Sequence, residues 1–179
     1  MAPPSHLDKA SVTAPVCILT ARLDAASFAW LDDLRRAHFP AARNLLSAHL
    51  TMFHRLSPLQ VERLCAVPRP ARPIAVDFDA LVFLGAGNAV RATAPELVQL
   101  RDEIRAALGC GLSRQDAQRW MPHVTIQNKV TPAAARTLQA ALAADFRARS
   151  GSIDALEVWD YLGGPWRLAQ SLPFGNAPA

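Results

Sequence analysis

Two segments of this 179-residue chain carry the same ten-residue phrase. One reads His49-Leu50-Thr51-Met52-Phe53-His54-Arg55-Leu56-Ser57-Pro58, the other His123-Val124-Thr125-Ile126-Gln127-Asn128-Lys129-Val130-Thr131-Pro132. Each runs histidine, apolar, threonine, apolar, two variable residues, a base, apolar, a hydroxyl residue and proline. In a strand, positions i and i+2 point the same way, about 6.5–7 Å apart, so each copy offers an imidazole and a hydroxyl to one ligand group. Two copies facing across a cleft would bracket a single phosphorus atom. One histidine would take a proton from the attacking oxygen and the other would return one to the leaving oxygen. Imidazole reaches both protonation states near neutral pH. The threonine hydroxyls would donate to the non-bridging oxygens, where charge builds in the transition state.

Strict alternation puts His49, Thr51, Phe53 and Arg55 on one strand face, with Leu50, Met52 and His54 on the other. In the second copy His123, Thr125, Gln127 and Lys129 share a face. A single His-x-Thr would read as a packed histidine beside a β-favouring threonine. Two in matching frames point to function, because a polar His/Thr face is poor core material. Arg55 and Lys129 fill the same slot of the two copies and would attract phosphate or line a rim. Phe53 would stack a base or fill core. Tyr161 and Trp166 flank a glycine turn and would pack as structure or form a second stacking platform. His54 points away from His49 and reads as a satisfied histidine, while His6 and His38 read as solvated.

These side chains need strands to hold them, and the surrounding pattern supplies them twice. Val16 to Ala21 reads as a short buried strand. Phe28, Leu31 and Leu34 recur at helical spacing with charged residues between them, giving an amphipathic helix to about His38. Ser57-Pro58 caps and opens a helix to about Val67. Ile74 to Leu84 is a long strand, Gly85 to Asn88 a turn, and Ala89 to Ala92 the return. Thr93-Ala94-Pro95-Glu96 reads as a capping box, followed by a stripe of Leu97, Leu100, Ile104 and Leu108. After the second phrase, Thr131-Pro132 opens a helix expected to end near Gly151. A hairpin follows, Ile153 to Leu162 and Trp166 to Leu172, around Gly163-Gly164-Pro165. The order of motif strand, helix, long strand, glycine turn and strand thus occurs twice, which makes the chain a duplicated α+β unit. Two such units are expected to pack about a pseudo-twofold axis.

The remaining composition narrows the class. The expected organisation is a tail over 1–14, one domain over 15–174 and a short tail over 175–179. Half of the residues are hydrophobic, enough for a core without staples. The three cysteines have no paired spacing and read as small buried apolar residues, so no disulfide framework is expected and a cytoplasmic setting fits. No zinc-ligand spacing occurs, no metal or other cofactor is expected, and no apolar run reaches membrane-spanning length. The net charge is +4, and 17 of the 19 basic residues are arginine, whose planar fork suits phosphate oxygens.

The paired His-x-Thr motifs, 74 residues apart, resemble those of the 2H phosphoesterase superfamily. The chain is most similar to bacterial proteins of the 2'-5' RNA ligase and RNA 2',3'-cyclic phosphodiesterase group, over roughly residues 15–174. Pro122-His123-Val124-Thr125-Ile126 resembles that group's second motif, and Tyr161-Leu162-Gly163-Gly164-Pro165-Trp166 its late segment. The resemblance implies a bilobal fold, antiparallel sheets lining a central cleft, and no metal. It implies catalytic roles for His49 and His123 and phosphate binding by Thr51 and Thr125. Many members place an arginine shortly after the second motif, where this chain has Gln127-Asn128-Lys129. Lys129 would substitute there as a point charge. The expected activity is opening of 2',3'-cyclic phosphates on RNA ends or nucleotides to 2'-phosphomonoesters by a monomer. The alternatives are 2'-5' RNA ligation at the same site and a non-catalytic nucleotide- or RNA-binding module.

Overall fold

A computed structural model describes residues 16–161 and 163–175. The expected tail over 1–14, the last four residues and Leu162 lie outside the described residues. The elements run β1 (Val16–Leu23), α1 (Ala25–His38), β2 (Leu50–Leu56), α2 (Pro58–Cys65), β3 (Ile74–Phe83), β4 (Asn88–Thr93), α3 (Pro95–Leu108), β5 (His123–Gln127), α4 (Pro132–Asp145), β6 (Arg149–Tyr161) and β7 (Arg167–Pro173). A single 3-10 turn at Ala41–Arg43 interrupts the link from α1 to β2.

The sheet displays the duplication as topology. Its strand order is β2-β1-β6-β3-β4-β5, with β7 added on β6, and every pairing is antiparallel. Dividing the chain into β1-α1-β2-α2-β3 and β4-α3-β5-α4-β6 and exchanging the halves turns this order into its own reverse. The pseudo-twofold axis therefore passes through the β3–β6 ladder, where Ile74 faces Ile153, Val76 faces Gly151 and Phe78 faces Arg149. The halves share one continuous seven-stranded sheet, and each ends in a motif strand, β2 at one edge and β5 at the other.

Burial follows the apolar pattern. Leu19, Leu50, Met52, Phe53, Phe78, Val90, Leu97, Ile104, Val124 and Ile126 are fully buried in one cluster. Burial of this kind contributes about 1.5–3 kcal/mol per large side chain. Helix α2 begins with the capping box of Ser57 and Gln60, and α4 with the Thr131 hydroxyl accepting from the Ala134 amide. No helix among the described residues is long and apolar enough to cross a membrane.

The structure corrects several local expectations. The capping box at Thr93 does not form: Ala94 is the N-cap of α3 without a side-chain bond, and the Thr93 hydroxyl donates to Asp79 instead, at 2.7 Å. Helix α4 stops at Asp145, and Gly151 lies inside β6. A Cβ at Gly151 would run into Ser27 Oγ and Asp24 Oδ2, so the glycine allows the start of α1 to sit against the sheet. The α1 face that turns inward carries Ser27, Leu31, Asp32 and Arg35, while Phe28 is exposed. Cys17 is buried, but Cys65 and Cys110 are exposed, and all three are free.

The most consequential correction concerns the motif strands. In β2, Thr51 faces Thr20 of β1, yet the next partner, Leu19, faces Phe53. Met52 is an extra residue, a β-bulge. In β5, Thr125 faces Ala89 and Gln127 faces Asn88, leaving Ile126 as the extra residue. The bulge is duplicated, one position after each threonine. A bulge shifts the side-chain alternation by one. Phe53 and Gln127 consequently turn inward, and His54 turns to the side of His49. Strand β5 ends at Gln127, and Lys129 stands beyond it in the left-handed region at φ 62°.

Candidate active site

A cleft of about 410 Å³ lies between the two motif strands. His49, Thr51, His123 and Thr125 all line it, with His54, Arg91, Arg119 and Trp166 among the other walls. The core-facing Leu50 and Val124 anchor each strand from behind, fully buried.

The two histidines are held identically. His49 Nδ1 lies 2.7 Å from the carbonyl oxygen of Ser47, and His123 Nδ1 lies 2.8 Å from that of Met121. A carbonyl oxygen only accepts, so each Nδ1 carries the proton. In the neutral rings both Nε2 atoms are then bare lone pairs, able to accept a proton and, once protonated, to donate it. The rings differ in surroundings. Burial pushes the His49 pKa down to about 4, outweighing the Ser47 contact that acts upward, and the nearby Arg35 charge adds to the depression. The Trp166 ring lies 4.8 Å from the His49 ring and 6.3 Å from that of Trp159. His49 is therefore neutral at physiological pH.

Each motif strand is fastened by a buried arginine from the other half of the duplication. Arg35 of α1, only 4% exposed, donates through Nη1 to Thr125 O at 2.8 Å and through Nε to Asn44 and Leu46 O. Arg101 of α3, 3% exposed, donates to Met52 O at 3.0 Å and Asp116 O at 2.8 Å. Its guanidinium lies between the rings of Phe53 and Trp120, at 4.6 and 5.1 Å. Trp120 Nε1 donates in turn to Thr51 O. Beyond the β2 bulge, the buried Asp116 carboxylate accepts from the backbone amides of His54 and Arg55 and from the Ser113 hydroxyl. Burial acts to raise its pKa, but the His54 ring, whose Nδ1 lies 3.1 Å from Asp116 Oδ1, together with the His54 amide and the Ser113 hydroxyl, prevails and holds it below the usual carboxylate value.

The structure sorts the remaining residues singled out from the sequence. Trp166 is in the cleft wall. Phe53 is fully buried beneath Arg101, so its base-stacking role falls away because the bulge turns it inward. Arg55, Lys129 and Tyr161 are exposed and outside the cleft lining. The cleft's cations are Arg91, tied to Asp79 at 2.7 Å, and Arg119, for which no carboxylate partner occurs among the described residues. Arg35, Arg101, Asp116 and Trp120 were missed from sequence. A signal existed for Arg101, which stands four residues after Leu97 on the apolar stripe of Leu97, Leu100, Ile104 and Leu108, but not for Arg35, whose inward face also carries Ser27 and Asp32. No three His, Cys, Asp or Glu side chains gather as a metal-holding group among the described residues.

A sheet of palindromic order with a histidine and a threonine at each edge defines a two-motif phosphoesterase fold. Residues 23–165 match the model of the 2'-5' RNA ligase superfamily, and the chain belongs to this superfamily of 2H phosphoesterases. Among solved structures it is similar to Escherichia coli LigT complexed with 3'-AMP, at 17% identity and TM-score 0.59, covering 90% of this chain and 99% of that one. It is also similar to TT0787 of Thermus thermophilus, at 12% identity and TM-score 0.62, over 90% and 100% of the two chains. A third structure, that of a phosphoesterase, shares 18% identity at TM-score 0.57 over 92% and 100% of the two chains. No curated protein sequence matches the chain.

Proposed function

We propose that the protein is a metal-independent phosphodiesterase that opens 2',3'-cyclic phosphates on RNA ends or nucleotides. The observation that carries this reading is the pair of imidazoles in one cleft, each tied through Nδ1 to the carbonyl two residues before it. His49, neutral at pH 7, serves as the base, and His123 as the acid. Water attacks phosphorus and gives its proton to His49 Nε2. The bond from phosphorus to O3' breaks, and His123 supplies a proton to O3'. The product is a 2'-phosphomonoester, and the next turnover requires the two protons to be exchanged with solvent. Thr51 and Thr125 donate to the non-bridging oxygens, and Trp166 offers a face to the terminal base.

Superfamily membership and the nucleotides bound by LigT, among them 3'-AMP and ATP, support a nucleotide phosphate as the ligand. The superfamily name also favours a second outcome at the same atoms. A 5'-hydroxyl in place of water would yield a 2'-5' linkage.

The test is conversion of a short RNA ending in a 2',3'-cyclic phosphate, with EDTA present, with and without a 5'-hydroxyl oligonucleotide. A single 2'-phosphomonoester is expected. His49→Ala and His123→Ala should each reduce kcat/KM by at least about 10²-fold with the fold intact. Unchanged turnover in either variant refutes the two-histidine mechanism, and abolition by EDTA refutes its metal independence.

A further inference from the structure

The duplication produces two further grooves, one on each side of the cleft, and they have opposite character. Each lies between the end of an inner strand, the start of the following helix and the segment leading into a motif histidine. The first, about 640 Å³, is bounded by Thr20–Ala25, Leu45–His49 and part of β6. The second, about 600 Å³, is bounded by Arg91–Pro95, Gln118–Pro122 and part of α3. Both adjoin the cleft directly: His49 and Trp166 line the cleft and the first groove, Arg91, Arg119 and Trp120 the cleft and the second.

Charge separates the two. The first groove sets Arg22 against Asp24, Asp154 and Glu157, a formal −2, beside Phe28, Trp159 and Trp166. The second sets Arg91, Arg101, Arg105 and Arg119 against Asp102, a formal +3. Arg101 is occupied with backbone carbonyls and Arg91 with Asp79, but Arg105 and Arg119 are exposed and without an ion-pair partner among the described residues. The helix starts extend the contrast. Asp24 fills the N-terminus of α1 with its own carboxylate, whereas Ala94 gives α3 no side-chain cap, and the Glu96 of its first turn pairs with Arg72 outside the groove lining.

A lone cyclic nucleotide carries one phosphate, and the cleft accommodates it. A second anion-attracting channel opening from the same cleft suits a ligand whose negative charges continue beyond the reacting group. An RNA strand has that form, because the terminal ring phosphate is followed by a phosphodiester at each preceding nucleotide. We propose that a strand whose cyclic end occupies the cleft runs its upstream phosphodiesters through the groove lined by Arg105 and Arg119. This rests on the phosphodiesterase reading for the cleft and adds the path of the strand. The acidic, aromatic groove repels the phosphates, which gives the strand a single direction across the site.

The experiment compares kcat/KM for a cyclic mononucleotide and for a tetranucleotide with the same 2',3'-cyclic end, in wild type and Arg105→Glu. Arg69→Glu, an exposed charge reversal elsewhere on the surface, is the control. In wild type the tetranucleotide is favoured, through KM, at low salt. Arg105→Glu should lower the tetranucleotide-to-mononucleotide ratio by roughly tenfold, while Arg69→Glu leaves that ratio unchanged. Affinity for the same tetranucleotide ending in a 3'-phosphate is measured against salt in parallel. The log–log slope should lessen by about 0.7 in Arg105→Glu. Equal use of both substrates by wild type, or a ratio and slope indifferent to Arg105→Glu, overturns the groove assignment. If neither cyclic substrate is turned over, the phosphodiesterase reading fails, and the salt slope still decides the groove.

Discussion

On the proposed mechanism, the depressed basicity of His49 sets the acid limb of the pH–rate profile. A pKa of about 4 against an ordinary 6.5 corresponds to roughly 3 kcal/mol favouring the neutral ring. That figure is an upper bound, because the ring is only half-buried and its cleft-facing edge admits water. The limb of kcat/KM, which reports the free enzyme, is therefore expected between about pH 4 and 5. At pH 6 a base of pKa 4 is about 99% neutral, whereas one of 6.5 is only about a quarter neutral. Activity should accordingly stay level from pH 7 down to 6 rather than fall about threefold. Trp166→Ala removes one wall of the enclosure and should move the limb up by roughly one pH unit, whatever it does to the absolute rate. The assay is kcat/KM from pH 4 to 9 for both proteins, with NMR titration of the His49 ring as the direct reading. A wild-type limb near 6.5, or one that Trp166→Ala leaves in place, refutes the assignment of His49 as an enclosed base. Stability should follow the same ionisation. The unfolded chain binds the His49 proton below about 6.5 while the folded protein refuses it until about 4. The His49 contribution is thus complete above 6.5 and is lost as pH falls from 6.5 to 4. A thermal midpoint that falls over this range in wild type should fall less in His49→Gln.

Two further perturbations test the site and its support. Thr51→Val and Thr125→Val keep the shape of each side chain but remove a hydroxyl donor. Each is expected to lower kcat by about 10²-fold, measured with saturating cyclic-phosphate RNA, and a loss under threefold in both would remove the threonines from transition-state stabilisation. Arg101→Met leaves the carbonyls of Met52 and Asp116 without a buried donor, each worth about 1–3 kcal/mol, while relieving the cost of burying a guanidinium. A net destabilisation of about 2–4 kcal/mol in urea denaturation is expected. A change under about 1 kcal/mol would show that Arg101 does not hold β2 in place.

Much of this molecule is legible in one dimension because duplication writes its evidence twice. Matching frames around His49 and His123 identify the motif strands, and the prolines Pro58 and Pro132 after hydroxyl residues mark the helices that follow. Those are local signals: a side-chain cap, a fixed proline φ and an apolar period act over a few residues, and they appear wherever the chain places them. The order of strands, helices and glycine turns, and with it the two-fold α+β plan, follows from them.

What the linear chain does not reveal depends on partners distant along it. Alternation alone placed Phe53 with His49 and Thr51. The register against β1 inserts Met52 as a bulge, so Phe53 becomes core and His54 enters the cleft. The same event at Ile126 turns Gln127 inward, where its side-chain oxygen accepts from Asn88 Nδ2. Asp116 is drawn in by the amides of residues 54 and 55, more than sixty positions earlier. Buried Arg35 looks like an ordinary helix-surface charge until the other half of the duplication supplies the Thr125 carbonyl for it. The order of residues along the chain is enough to pick out the paired histidines and threonines and the strands that carry them. The neighbours that join them are settled in three dimensions, because register and long-range hydrogen bonds are set between strands rather than along one.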